Sequence, residues 1–402
     1  MTTTSPRNDT GIGADHYALP GVRFSLTTDD AQVRDFFRAA YRHFEMPGGS
    51  APSAQPVYPL KAMLRPDNGR PFASAGEHVL DLTGRAMPVN RAFLFLLNGM
   101  MGQVSEFVVM HAAAVSMAGR GILVAGPPTA GKSTLVLELA RRGAAFLSDD
   151  VAPLHRKTGL LHAFPRALGI RRDAEGVSRL DRASLPAGSV HELAYKWLVD
   201  PAALGLRLAG PGDAPCPVEA IFLLDTDPPG AAPRGDAADG GRQMEIALAE
   251  EDEEVLAEVR SLPGVEDLRR HASRPFPVYS FTARPALRPM AALADLGRRR
   301  ADVVLYMDAA RASRSSYPAV PSATEERAMT VVMELARELL NRSESGALLK
   351  SCGGLPGLVA EMGALLKGAR TYRLRPGQPD RTADLVLSLA EGKGGASLRG
   401  ES

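Results

Sequence analysis

Residues 126–133 read Gly126-Pro127-Pro128-Thr129-Ala130-Gly131-Lys132-Ser133, and the fit to G-x-x-x-x-G-K-[ST] constrains this chain more than any other feature. Its surroundings agree with the pattern. Gly121-Ile122-Leu123-Val124-Ala125 reads as a short buried strand running into the loop, and Ser133 to Arg142 as a helix leaving it, closed by Gly143. The chemistry explains the spacing. Glycines let successive backbone N–H groups curl around a phosphate, and the helix N-terminus adds positive potential. Lys132 then reaches the β/γ-phosphates and the Ser133 hydroxyl a magnesium ion. A strand, loop and helix in this order predict an α/β sheet whose strands end at a nucleoside triphosphate.

The next segment narrows the class. Ala144-Ala145-Phe146-Leu147-Ser148-Asp149-Asp150-Val151 is an apolar strand ending in two adjacent carboxylates. Neighbouring residues on a strand point to opposite sides. One Asp could face a metal and the other an incoming nucleophile, or only one could face the site.

From His111 ("HAAAV") through "GILVAGPPTAGKSTLVLELARRGAAFLSDD", the chain resembles the catalytic core of HPr kinase/phosphorylase and its relatives. That core has a His before the first strand, a GKS loop, a helix ending in Arg-Gly and an Asp-Asp strand. The steps from His111 to Lys132 and from Lys132 to Asp149-Asp150 match without gaps, and Arg166-Ala167-Leu168-Gly169-Ile170 resembles the family's R-G-L-G-I signature. The resemblance implies a P-loop nucleotide-binding core of the HPr kinase/phosphoenolpyruvate-carboxykinase-like type. It also implies ATP and Mg²⁺ as cofactors and phosphate transfer to a hydroxyl, in HPr kinase a protein serine.

Carried over by position, the resemblance makes Asp150 the general base, with His111 beside it and Lys132 on the phosphates. Gly126, Thr129, Ala130, Gly131, Lys132, Ser133, Thr134 and Arg166 would contact the nucleotide, and Ser133 and Asp149 the metal. These groups supply positioning, charge neutralisation and a proton acceptor, which phosphoryl transfer requires. The sequence also departs from the family. Phe164 stands where a metal-binding Glu is expected, with His162 or Glu175 as substitutes, Ala167 replaces a Gly, and Pro127-Pro128 removes two N–H donors. No later segment matches the loop that equips bifunctional relatives for phosphorolysis, so a forward-only kinase is expected, with HPr itself disfavoured as substrate.

Three functions fit: a kinase for a Ser/Thr hydroxyl on a protein or peptide, including a biosynthetic precursor peptide; a small-molecule kinase on the same fold; and a nucleotide-binding scaffold or sensor without transfer. The complete Lys132, Ser133, Asp149, Asp150 set favours an enzyme, and the resemblance favours the protein substrate. Composition adds limits. A formal charge of +1 gives no electrostatic footprint for nucleic acid. Cys216 and Cys352 have no metal or disulfide spacing, and "MTTTSPRNDTGIGADHY" lacks a signal peptide's order. A cytoplasmic protein is expected, with no nucleic-acid or membrane partner and with a homo-oligomer left open as a possibility. The apolar run Phe93–Val115 is interrupted by Asn98, Gln103, Glu106 and His111, so it reads as a buried helix behind the nucleotide sheet.

The expected outline is residues 1–85 as an N-terminal α+β module, 86–317 as the P-loop kinase core and 318–402 as a mainly helical C-terminal region. Asp29–Phe44 reads as a helix, Val218–Leu224 and Val303–Tyr306 as strands, and Asp225–Gly241 as a loop. Arg298-Arg299-Arg300 reads as a solvated helix end. Thr324–Leu340 and Leu348–Leu366 read as helices, Thr371–Leu374 as a strand and Thr382–Leu389 as a last helix.

Overall fold

The structure, a computed structural model, describes residues 13–46, 56–65, 69–85, 88–126, 130–171, 185–192, 196–225, 242–272, 277–284, 289–300, 303–309, 320–340 and 345–392. The chain is mixed α/β. Thr129 of the phosphate-loop motif, Glu175 and most of the expected loop after Asp225 lie outside the described residues.

The N-terminal unit comprises β1 (Ala14–Leu19), β2 (Val22–Thr28), α1 (Ala31–Tyr41), β3 (Val57–Met63), β4 (Phe72–Ala75), β5 (His78–Asp81) and α2 (Pro88–Met101). Its strands form a sheet in chain order. Helix α1 starts where the Asp30 carboxylate accepts from the Gln32 and Val33 N–H groups, at 2.8 and 3.1 Å. Val33, Phe36, Phe37, Ala40 and Tyr41 recur at helical spacing and are buried against the sheet. Each large side chain so buried contributes about 1.5–3 kcal/mol of transfer free energy.

The run Phe93–Val115 corrects the sequence reading. It holds the end of α2, then β6 (Phe107–Met110) and β7 (Ala112–Met117). Gly102 follows the last helical residue, and β-branched Val108, Val109 and Val115 suit strands. Ala92, Phe93, Leu96 and Met100 of α2 are buried with the N-terminal sheet, away from the helix that follows the glycine-rich loop.

The chain continues through β8 (Arg120–Ala125), α3 (Lys132–Arg141), β9 (Ala145–Ser148), β10 (Ala152–His155) and β11 (Leu160–Leu161). A small sheet of β12 (Leu168–Arg171), β13 (Val190–Glu192) and β14 (Lys196–Val199) follows, then β15 (Cys216–Leu224). Next comes β16 (Arg242–Leu248), α4 (Glu253–Ser261), β17 (Val265–Arg270), β18 (Val278–Ala283), α5 (Pro289–Arg299) and β19 (Val304–Ala309). These pair antiparallel in the order β17-β18-β16-β19, which with two helices in a βαββαβ order is the ferredoxin-like arrangement. The chain ends in β20 (Ser322–Glu325), α6 (Ala328–Leu340), α7 (Ser345–Ser351), α8 (Leu355–Leu365), β21 (Arg370–Arg375) and α9 (Pro379–Ala390).

The central sheet runs β9-β7-β8-β15, and β15 then pairs with β11 through its first residues and with β21 through its last. β8, β15 and β21 are parallel. The C-terminal region supplies two strands to this sheet: β21, which holds the strand expected at Thr371–Leu374, and its antiparallel neighbour β20. Alternation along the strands builds two cores. Ile122, Val124, Phe222 and Leu374 pack with Leu135, Leu139 and Val386 of α3 and α9. Leu123, Ala125, Ile221 and Leu223 pack with Val331, Leu335 and Met362 of α6 and α8. Helices on both faces of a mixed sheet, parallel only at β8, β15 and β21, form a three-layer α/β architecture. Cys216 and Cys352 are free thiols. Among the described residues no helix is long and apolar enough to cross a membrane.

Ion pairs join the units. Buried Arg91 of α2 reaches Glu250 at 2.8 Å and Asp252 at 3.5 Å in the ferredoxin-like unit. Arg300, read from sequence as solvated, pairs with Asp252 at 2.8 Å. Asp200 accepts from Ala202 N–H at 2.9 Å and pairs with Arg42 at 3.0 Å and His43 at 2.9 Å at the end of α1. Burial pushes the Asp200 carboxyl up, but the His43 and Ala202 hydrogen bonds and the His43 and Arg42 charges carry it below the usual range. A depressed folded pKa adds stability above the unfolded value of about 3.9, lost as pH falls through the folded pKa. Asp200→Asn is therefore expected to lower the thermal midpoint at pH 7 and to flatten its fall below about pH 4. A parent-like midpoint at pH 7 would rule this tether out.

Candidate active site

Strand register gathers the motif residues at one edge. Ala112 of β7 lies opposite Ala125 of β8, and Ala114 of β7 opposite Ser148 of β9. β7 runs against both neighbours, so its start meets their ends. His111 precedes β7, Gly126 follows β8, and Asp149-Asp150 follow β9, so all reach the same edge. Antiparallel β7 lies between β8 and β9, and it is this strand that brings His111 between loop and acids.

The loop is shaped by two glycines. Gly126 has φ 152°, and a Cβ there would lie 3.0 Å from Leu224 Cβ and 3.4 Å from Ala130 Cβ. Gly131 has φ 101° and caps α3 without a side chain, so the first-turn N–H groups receive no side-chain cap. Ser133 and Thr134 lie in that turn, partly buried, and Ala130 is buried. Lys132 is buried too. Its Nζ donates to the Gly126 carbonyl at 2.7 Å and sits 3.3 Å from His111 Nε2.

The two carboxylates diverge, as strand alternation requires. Asp149 is buried, and its Oδ2 accepts the Gly169 N–H at 3.2 Å. Its Oδ1 is buried with no hydrogen-bond partner among the described residues. Burial pushes the Asp149 carboxyl above the usual range, aided by the Asp150 charge and opposed by the Ser133 hydroxyl, the Gly169 N–H and Arg166. Asp150 is more open. Its Oδ1 lies 2.8 Å from His111 Nδ1 and its Oδ2 2.7 Å from Arg166 Nη2. His111 Nδ1 is also 3.2 Å from the Asp150 carbonyl. A charged lysine only donates, so His111 Nε2 accepts from Lys132 and Nδ1–H points at Asp150. Lys132, His111, Asp150 and Arg166 thus form one chain of alternating donors and acceptors.

His111, Gly126, Lys132, Asp149, Asp150 and Arg166 are therefore neighbours. Arg166, expected on the nucleotide, has its guanidinium on Asp150. Gly169, part of the R-G-L-G-I-like segment, contributes an N–H to Asp149 that side-chain chemistry could not reveal. Phe164 is 3% exposed and packs on Phe44, with ring centroids 5.0 Å apart, in the N-terminal core. His162 packs against Phe107 and His155, at 4.9 and 5.9 Å. Among the described residues no group of three or more His, Cys, Asp or Glu side chains converges as a metal cage. A cation here would have the orphaned Asp149 Oδ1, the Ser133 hydroxyl and phosphate oxygens as ligands. The lone enclosed oxygen fits that donor set.

No family model matches the chain. HPr kinase/phosphorylase from Levilactobacillus brevis is 28% identical over 120 residues, 29% of this chain and 39% of that protein. The protein of the same name from Lactiplantibacillus plantarum is 27% identical over 119 residues, 29% of this chain and 38% of the other. Over that stretch the chain is HPr kinase-like, and it spans under two fifths of these relatives' length. The Hpr(Ser) kinase/phosphatase structure from Coxiella burnetii aligns with 34% of this chain and 76% of that one, at 18% identity. Its TM-score of 0.19 is too low to support a fold argument.

Proposed function

We propose that this chain is an ATP- and Mg²⁺-dependent kinase that transfers the γ-phosphate to a Ser or Thr hydroxyl of a protein or peptide, with a biosynthetic precursor peptide among the acceptors. The observation that carries this reading is the convergence of Lys132, His111 and Asp150 with the enclosed Asp149 beside a glycine-shaped loop at a helix N-terminus. In this reading residues 86–317 hold the P-loop kinase core, with residues 1–85 and 318–402 as its flanking regions, in a cytoplasmic protein. The protein acceptor is supported by the HPr kinase-like stretch, whose relatives are named for a protein substrate.

Each residue then has one task. The α3 N–H groups and Lys132 bind phosphate oxygens and neutralise charge as it develops. Asp149 and Ser133 would hold Mg²⁺, which neutralises phosphate charge when bound. Asp150 accepts the hydroxyl proton. Its two oxygens are held by His111 and Arg166. Transfer runs forward only.

Calorimetry with ATP and Mg²⁺, then mass spectrometry of candidate peptides incubated with ATP, tests the proposal. Nucleotide binding with a mass gain of one phosphate on Ser or Thr is the expected result. Binding without transfer to any peptide or small hydroxyl compound would favour a scaffold, a reading to which Phe164 in place of a metal-binding Glu already lends weight. Absence of nucleotide binding would sink both.

A further inference from the structure

Asp149 and Asp150 stand on a three-residue link, Asp149–Val151, between β9 and β10. The two strands belong to different ladders, β9 pairing with β7 and β10 with β6, so the acids lie outside both. Ser148, the last residue of β9, holds this link. Its hydroxyl oxygen accepts the Val151 N–H at 3.0 Å and closes a turn around the two carboxylates. A serine hydroxyl can stand in for a backbone acceptor in this way. Ser148 is 0% exposed and Val151 3%, so water does not replace the bond.

Three further contacts converge on the same turn. The Leu147 carbonyl accepts the Phe164 N–H at 2.8 Å, and Asp149 Oδ2 accepts the Gly169 N–H at 3.2 Å. Asp150 Oδ1 lies 2.8 Å from His111 Nδ1. The last two depend on the path of the link, because the acids leave it from adjacent residues and a rotation of the turn moves both. The ladder to β7 uses backbone groups alone, so β9 itself has no need of a hydroxyl at this end. Its hydrogen bond among the described residues is spent on the turn.

We propose that Ser148 is a positioning residue for phosphate transfer: through the Val151 N–H, its hydroxyl fixes the turn that directs Asp150 to His111 and Asp149 to the Gly169 N–H. This inference rests on the kinase reading above, in which Asp150 takes the hydroxyl proton and Asp149 serves the metal. Both tasks need placement finer than an ångström, since a misplacement of about 1 Å can cost about 10²-fold in rate.

The test uses the full chain with Ser148→Ala, which deletes the hydroxyl, and Ser148→Thr, which keeps it. Three quantities are compared with the parent: kcat and KM for ATP turnover per folded molecule, the thermal midpoint, and the two ring ¹⁵N shifts of His111. Ser148→Ala is expected to lower kcat about tenfold, as loss of a supporting hydrogen bond does at other sites. KM for ATP should stay within about twofold, because Lys132 and α3 are untouched. In the parent, Nδ1 carries the proton and Nε2 accepts from Lys132, so the two ring shifts differ. In Ser148→Ala they should draw together as the hold of Asp150 on Nδ1–H loosens. Ser148→Thr should keep the parent's ring shifts and its kcat within about twofold. The midpoint of Ser148→Ala should fall, since a buried N–H loses its acceptor. A fall in midpoint with parent-like kcat per folded molecule, or with parent-like ring shifts, makes Ser148 merely structural and overturns the proposal. So does a Ser148→Thr variant that loses as much kcat as Ser148→Ala. If the parent neither binds nor turns over ATP, the kinase reading fails by itself. The His111 shifts then still decide whether Ser148 sets the acids, and parent-like shifts in Ser148→Ala overturn it.

Discussion

Lys132→Ala is expected to lower ATP turnover by about 10²- to 10³-fold and to weaken nucleotide binding measured by calorimetry. Lys132 carries the cation at the mouth of the loop, between the Gly126 carbonyl and His111 Nε2. Alanine removes both the charge for the phosphates and the donor that orients His111. The fold is expected to tolerate the change. A buried ammonium is costly to desolvate, and its loss leaves the Gly126 carbonyl and the imidazole acceptor as the groups to be rehydrated. Turnover and thermal midpoint therefore separate. A variant that binds and turns over ATP like the parent would show that the loop is not the site, while a large fall in the midpoint would mean the lysine is chiefly structural.

This part of the molecule was legible because its chemistry is local. The loop needs glycines at two positions, a lysine and a hydroxyl in fixed order, and the strand and helix around it announce themselves by apolar runs and by Gly143. The acids were legible as a pair at a strand end, although their division of surroundings came from pairing that sequence does not print. β7 runs antiparallel between β8 and β9, so the site is assembled by three strands of two directions. The apolar run at Phe93–Val115 misled for a related reason. Its composition suits a buried helix or buried strands equally, and length favoured the helix until Gly102 and the valines decided otherwise. The bond from Ala167 to Ala40 was out of reach, since it depends on how α1 packs against a segment far along the chain. The ferredoxin-like order of β16 to β19 likewise lives in pairing, not in periodicity.

Asp150→Asn and Asp149→Asn provide the second large effect and separate the two carboxylates. Asparagine at 150 keeps the shape but cannot accept a proton from the hydroxyl, so transfer is expected to fall by about 10²-fold or more with ATP still bound. The structure adds a stability cost. Asp150 is the anion between His111 and Arg166, and the neutral amide leaves an enclosed guanidinium without its countercharge, a loss of about 1–3 kcal/mol. The thermal midpoint should therefore fall together with turnover, and transfer per folded molecule is the quantity to compare. Asp149→Asn is expected to behave differently. Its Oδ1 is enclosed and without a partner among the described residues, and burial already disfavours its charge. Neutralising it relieves that penalty, so the midpoint at neutral pH should hold or rise. The cost should appear instead as a higher Mg²⁺ concentration for half-maximal turnover. Magnesium titrations of both variants, each corrected for folded fraction, decide between these roles. Equal shifts in metal requirement would show that the acids share one function, and a stability loss confined to Asp149→Asn would reverse their assignment.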